Sequence, residues 1–239
     1  MDQVIETIAC WVETKGKHYV CAADVHSIML ARDDSAHRKA LRHSDMILPD
    51  GTPLVWLSKL RGEKQIERVC GPDLMLRLLA FSAKRGWRHY FYGGSEGVAQ
   101  KLAQQAAALC PGIIIAGTDC PPFRPLSDEE KRTAIERIND AAPDILWVGL
   151  GCPKQERWMF ESLPKLDGVV AIGVGAAFDF HSGRVKRAPP WMRSNGLEWL
   201  YRFLSEPRRL WRRYVYLAPR FLVLGLLDTR SGRSLRRRA

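Results

Sequence analysis

Along the first 183 residues, short runs of consecutive apolar side chains alternate with longer stretches in which apolar positions recur every three or four residues. The runs are HYVCAA (18–23), MIL (46–48), RHYFYGG (88–94), PGIIIAG (111–117), DILWVGLG (144–151) and GVVAIGVGAAF (168–178). Each predicts a strand, and runs this continuously apolar predict strands covered on both faces. Between them, helical patterns span 26–43, 72–86, 95–109, EEKRTAIERINDAA (129–142) and CPKQERWMFESL (152–163). Ser127-x-x-Glu130 is a capping-box signature that opens the fourth of these helices, and Pro143 closes it. Strict β-α alternation predicts an α/β fold, Rossmann-like, with a doubly wound, mostly parallel sheet.

After Gly183 the texture changes. The segment LEWLYRFLSEPRRLWRRYVYLAPRFLVLGLL is helical in pattern, with interruptions expected at Pro207 and Pro219, and it ends in the arginine tail RSGRSLRRRA. The pattern predicts an α/β catalytic domain over 1–190 and a basic, aromatic-rich helical appendage over 191–239. Charge sharpens this division. The chain carries +11 overall, but residues 184–239 hold 15 Arg and Lys against three acids, net +12, which leaves −1 for the first 183. A neutral body with a basic tail predicts an anionic partner for the tail. No nucleic-acid-binding motif is present. Trp191, Trp199, Trp211, Tyr214, Tyr216 and Phe221 among arginines suit an anionic membrane surface better, and an arginine lid over a diphosphate is compatible with that.

At 239 residues and 46% apolar content the chain can bury a full core. Its six cysteines include no C-x-x-C pair, which predicts reduced thiols in a cytoplasmic protein and neither a zinc site nor a disulfide framework. No signal peptide and no spanning helix are expected.

In an open parallel sheet, ligands bind beyond the carboxyl ends of the strands. Four segments follow predicted strands: Asp24 with His26, Asp50-Gly51, Gly93-Gly94, and Gly149 to Gln155. By local chemistry alone, Pro49-Asp50-Gly51 is an ordinary turn. YGGSEGVAQKLA (92–103) is a loose dinucleotide turn that lacks G-x-G-x-x-G, so Gly93 and Gly94 suit either a nucleotide contact or tight packing of strand on helix. Gln155 alone reads as solvated surface. Asp179 and His181 could suggest a metal, but no second carboxylate follows at the spacing that would complete a site, and none is expected.

Taken together, PDGTPLVW, RVCGPDLM, FYGG, PDILWVGLGCPKQE, VGAAFDFHSG, RAPPWM and GLEWLYRFLSEPRRLWRRY resemble the WecG/TagA/CpsF family of bacterial glycosyltransferases, in the family's order, over about residues 18 to 222. The resemblance implies an inverting, UDP-sugar-dependent hexosyltransferase, acting on an undecaprenyl-diphosphate-linked sugar at the inner face of the plasma membrane. Its product would be a cell-wall polymer or exopolysaccharide. It implies Asp50 as catalytic base, with Asp24 as a rival. For substrate binding it implies Arg68 and Gln155, to which the strand-rim positions add Gly93, Gly94 and Asp179, and the basic appendage Arg208, Arg209 and Arg212. No cofactor and no metal are implied, and nucleic acid is not expected as a partner.

Where many members of that family carry Thr-x-Asn, this chain has Ala22 and Asp24. Loss of those donors predicts a neutral hexose donor of the UDP-glucose type, the alternative being UDP-N-acetylmannosamine or its uronic acid. Two other classes compete. A non-enzymatic membrane or nucleic-acid adaptor would not bind a UDP-sugar saturably, and a nucleotide-dependent oxidoreductase is weakened by the poor glycine fingerprint. Self-association as a homo-oligomer is left open.

Overall fold

A computed structural model describes residues 1–63 and 65–236, so the end of the arginine tail, 237–239, lies outside the described residues. Six strands form one sheet: β1 (His18–Ala23), β2 (Met46–Pro49), β3 (Arg88–Gly93), β4 (Ile114–Asp119), β5 (Ile145–Gly149) and β6 (Val170–Gly173). The order is β2-β1-β6-β5-β3-β4 and every pairing is parallel. This is the predicted Rossmann-like architecture.

Both faces of the sheet are buried, as the apolar runs require. Val20, Phe91, Ile145, Trp147, Val170 and Ile172 face α1 (Asp2–Glu13), α5 (Gly71–Ser82), α6 (Val98–Leu109) and α9 (Ala177–His181). Tyr19, Cys21, Tyr90, Leu146, Val148 and Ala171, one position out of phase, face α2 (Val25–Asp33), α3 (Ser35–Arg42), α7 (Asp128–Asp140) and α8 (Lys154–Ser162). At the centre, buried His89 stays neutral: burial lowers its pKa to about 4. Its Nδ1 accepts from Trp147 Nε1 at 3.1 Å, so its Nε2 donates to Ser82 Oγ at 2.7 Å.

Several elements depart from the pattern. The helix expected over 26–43 is two helices, because Asp34 accepts from the Ala36 and His37 amides and caps a new start. The run GVVAIGVGAAF is a strand only to Gly173. Gly175, at φ +49°, turns the chain and the remainder is the buried helix α9. The capping box at Ser127 and Glu130 forms as expected. Helix α1 was not read from the pattern, although Ile5, Ile8, Ala9 and Val12 have helical spacing. Nor was α4 (Thr52–Leu60), which starts directly after Gly51 with a proline in its first turn.

The C-terminal segment folds as α10 (Pro190–Ser194), α11 (Glu198–Ser205), α12 (Pro207–Trp211) and α13 (Ala218–Arg236), with a π-turn over 212–217 between the last two. The helical path therefore continues through Pro219. The wider turn before it accommodates a ring that would clash in an α-helix and a backbone nitrogen with no hydrogen to donate. α13 returns to pack on α2 and α4, so the appendage lies against the carboxyl-end rim of β1 and β2. No helix among the described residues is long and apolar enough to cross a membrane, and the six cysteines are free.

Candidate active site

The parallel sheet puts Asp24, Asp50, Gly93-Gly94, Gln155 and the Gly175 turn on one rim. Strand order then sets their neighbourhood. Asp50 and Asp24 end adjacent strands, and β6 and β5 follow in turn. Gly93 ends a strand four places from Asp50, about 19 Å at the usual strand spacing, so only an extended ligand could touch both.

Asp50 sits where strand becomes helix, and its backbone is pinned on three sides. Its amide donates to Ala23 O at 2.9 Å, Arg68 Nε donates to its carbonyl at 2.9 Å, and Val69 N donates to Pro49 O at 3.0 Å. The side chain is 28% exposed, and Oδ1 stands 4.0 Å from Arg68 Nη2. Burial raises its pKa to about 7. Arg68 and Arg202 oppose the rise, while Asp24 and Glu198 add to it. A carboxyl so poised has the proton affinity of a general base working near neutrality.

Asp24 has other work. It caps α2, its Oδ1 accepting from Ser27 N at 2.9 Å, while Oδ2 lies 3.9 Å from Arg213 Nη1. Asparagine and aspartate serve equally well as N-caps. The carboxylate that separates this chain from Thr-x-Asn therefore fills a helix-capping position and by itself says little about the sugar.

Arg68 belongs to a chain of ion pairs that fastens the appendage to the rim. Its Nη2 donates to Glu198 Oε2 at 2.8 Å; Glu198 Oε1 accepts from Arg187 Nε at 3.0 Å; Arg187 Nη2 donates to Asp73 Oδ2 at 2.9 Å and Nη1 to Asp73 Oδ1. Burial alone would raise both acids, but their arginine partners outweigh it. Asp73 is held at about 2 and Glu198 below its usual range. Sequence reading singled out only Arg68 of these four.

Gln155 is buried, not solvated. Its Oε1 accepts from Gly175 N at 3.1 Å and its Nε2 donates to Glu156 Oε1 at 3.0 Å, which ties the start of α8 to the turn after β6 and leaves one amide hydrogen. Gly93 and Gly94 both have positive φ, and a Cβ on Gly93 would sit 2.6 Å from the Gly149 backbone. Tight packing explains this pair. Beyond it, Ser95, Gly97, Lys101, Ser182 and Arg184 line a cleft of about 390 Å³.

Asp179 pairs with Arg184 at 3.5 Å beside that cleft. His181 lies two residues further on α9 and contacts Pro72 O through Nε2 at 2.9 Å, so the two do not share a helix face. Among the described residues, one group with the chemistry of a metal site is His37, Cys152 and Glu156, whose ligand atoms lie within 4.8 Å of one another.

Of the appendage arginines, Arg208 is exposed, Arg209 pairs with Glu206 at 2.6 Å and Arg212 lies over Trp211. Those whose charges face the rim carboxylates are Arg202 and Arg213. Sequence reading named Arg208, Arg209 and Arg212 and singled out neither of these two.

Residues 1–235 match the profile of the Glycosyl transferase WecG/TagA/CpsF family. The chain is 34% identical over 204 residues to the N-acetylglucosaminyldiphosphoundecaprenol N-acetyl-beta-D-mannosaminyltransferase of Bacillus spizizenii strain W23, spanning 84% of this chain and 76% of that protein. To the protein of the same name in Bacillus subtilis strain 168 it is 32% identical over 201 residues, spanning 83% and 75%.

Proposed function

The chain belongs to the WecG/TagA/CpsF family of glycosyltransferases, and from that premise we propose that it moves N-acetylmannosamine from UDP to an N-acetylglucosaminyl-diphosphate-lipid in cell-wall polymer synthesis. Both relatives are named for that sugar. They favour the alternative donor over the neutral hexose expected from Ala22 and Asp24, and the capping role of Asp24 removes half of the physical case for that hexose.

The observation that carries the mechanism is the pinned, partly buried Asp50, whose burial raises its pKa to about 7. Asp50 accepts the proton of the acceptor hydroxyl as that oxygen attacks the anomeric carbon in line. The C1–O bond to UDP breaks with its electron pair, and the configuration inverts. The "beta" in the relatives' names is what inversion of an α-linked nucleotide sugar would yield. A glycosidase needs a second carboxyl to protonate an alkoxide; a diphosphate leaves as an anion and needs only positive charge. Arg68, Arg202 and Arg213 face this rim and would supply it without a metal.

The acceptor's lipid calls for a membrane surface. Trp56 and Leu60 of α4, with Trp199, Leu204, Trp211, Val215 and Leu222 of the appendage, are exposed apolar groups among arginines. That composition supports peripheral docking at the inner face of the plasma membrane. A panel of UDP-sugars against a synthetic N-acetylglucosaminyl-diphosphate-lipid tests the donor. UDP-N-acetylmannosamine should exceed UDP-glucose by about tenfold or more in kcat/KM; equal or better use of UDP-glucose would restore the neutral hexose.

A further inference from the structure

Arg68 is a cation claimed by two carboxylates. It reaches the Glu198 carboxylate at 2.8 Å and stands 4.0 Å from Asp50, so in this arrangement Glu198 holds the hydrogen-bonded ion pair and Asp50 only a longer one. Glu198 is 10% exposed at its side chain and is gripped from the other side by Arg187, which is itself anchored on Asp73. It is carried by α11, the first full helix of the appendage. The partners that hold it come from the segment before α5, from α5 and from the loop after α9.

We propose that Glu198 is a positioning residue for the base: by drawing the Arg68 guanidinium to itself, it keeps Asp50 out of a closed ion pair and free to accept a proton only while the appendage is seated. This rests on Asp50 being the base. A carboxylate locked to a guanidinium is a poor proton acceptor, because an opposite charge at contact favours the ionised form. Moving Glu198 away would release Arg68 toward Asp50 and remove a negative charge from beside it, and both changes weaken the base.

The charges facing Asp50 come from every element around it. Asp24 lies at the start of α2, Arg68 and Cys70 in the segment before α5, and Glu198 and Arg202 on α11. Arg213 stands behind Asp24. Of these, Glu198 alone both repels the ionised form and competes for its nearest cation. The exposed arginines of α12 have no such place.

The test is the pH dependence of kcat/KM in Glu198→Gln, Arg68→Gln and the double variant, with Asp50→Asn as reference. The native acid limb should fall near 7. In E198Q it should move down to about 6 or below, with kcat reduced more than KM is raised. In the R68Q background the same E198Q change should move the limb far less, because the cation the two acids compete for is gone. An E198Q limb that stays in place while activity falls would make Glu198 a structural tether only, and unaltered activity would remove any role. If E198Q alone does not fold, the double variant, which leaves neither charge of the pair behind, decides the matter. Its limb should lie near that of R68Q, and a large downward displacement would overturn the proposal. Retention of activity in D50N is a separate failure, that of the base assignment itself.

Discussion

At the scale of single residues, the proposed role of Asp50 as base would link catalysis to stability through one proton. Its folded pKa of about 7 lies well above that of an unfolded carboxyl. The folded state therefore binds the proton more tightly, and the stability this contributes is fully present below about pH 4 and lost as pH rises through 7. Asp50→Asn keeps the neutral shape at every pH. It should reduce turnover by about 100-fold or more and yet raise Tm above the native value at pH 8, by about 2–4 °C for each kcal/mol recovered. Near pH 4 the two melting points should converge. A Tm difference that ignores pH would show that the carboxyl is not poised as described. The Pro-Asp-Gly turn was legible in sequence, and so was its place at a strand rim. The pinning by Arg68 was not, because its charged partner Glu198 is 130 positions away and no local pattern connects them.

At the scale of elements, what could be read depended on whether burial leaves a period. All six strands were found: β1, β3, β5 and β6 are largely buried and read as unbroken apolar runs, and the edge strands β2 and β4, only partly buried, are apolar enough to read the same way. The same property misled at 174–178, where a turn and the buried start of α9 continue the run of β6 without a break in hydrophobicity. In the appendage, the π-turn over 212–217 breaks the 3.6-residue phase. Which arginine faces the rim could not be counted from the sequence, and Arg213, not its neighbour Arg212, lies beside Asp24. The exposed positions on this stretch give a direct test. Val215→Asp with Leu222→Asp places charge on side chains already in solvent. It should leave circular dichroism unaltered and reduce sedimentation with anionic vesicles by about tenfold or more. Undiminished sedimentation would show that these side chains do not carry the proposed membrane contact.

At the scale of the whole molecule, a body of charge −1 carries a tail of +12. Such a segregated charge orients the protein toward an anionic surface before contact. Association with anionic vesicles should weaken steeply between about 0.05 M and 0.5 M salt as the Debye length shrinks, with the residual binding set by the aromatic and aliphatic groups. Binding to neutral vesicles of equal strength at low salt would show that apolar contact dominates. The charge asymmetry was visible in composition. Its return to the rim, with α13 lying on α2 and α4, is a tertiary fact that composition does not contain.

The spread of the ion-pair chain along the polypeptide has a consequence for the order of events during synthesis. β6 ends at Gly173, and Arg187 and Glu198 follow it. A chain emerging from the ribosome can therefore pair its strands and bring Asp50 to the rim before Arg187 and Glu198 have left the exit tunnel, since folding proceeds from the N-terminus. If Glu198 positions Arg68 as proposed, an unfinished chain would hold the proposed base in an ion pair until the last quarter of the chain is in place.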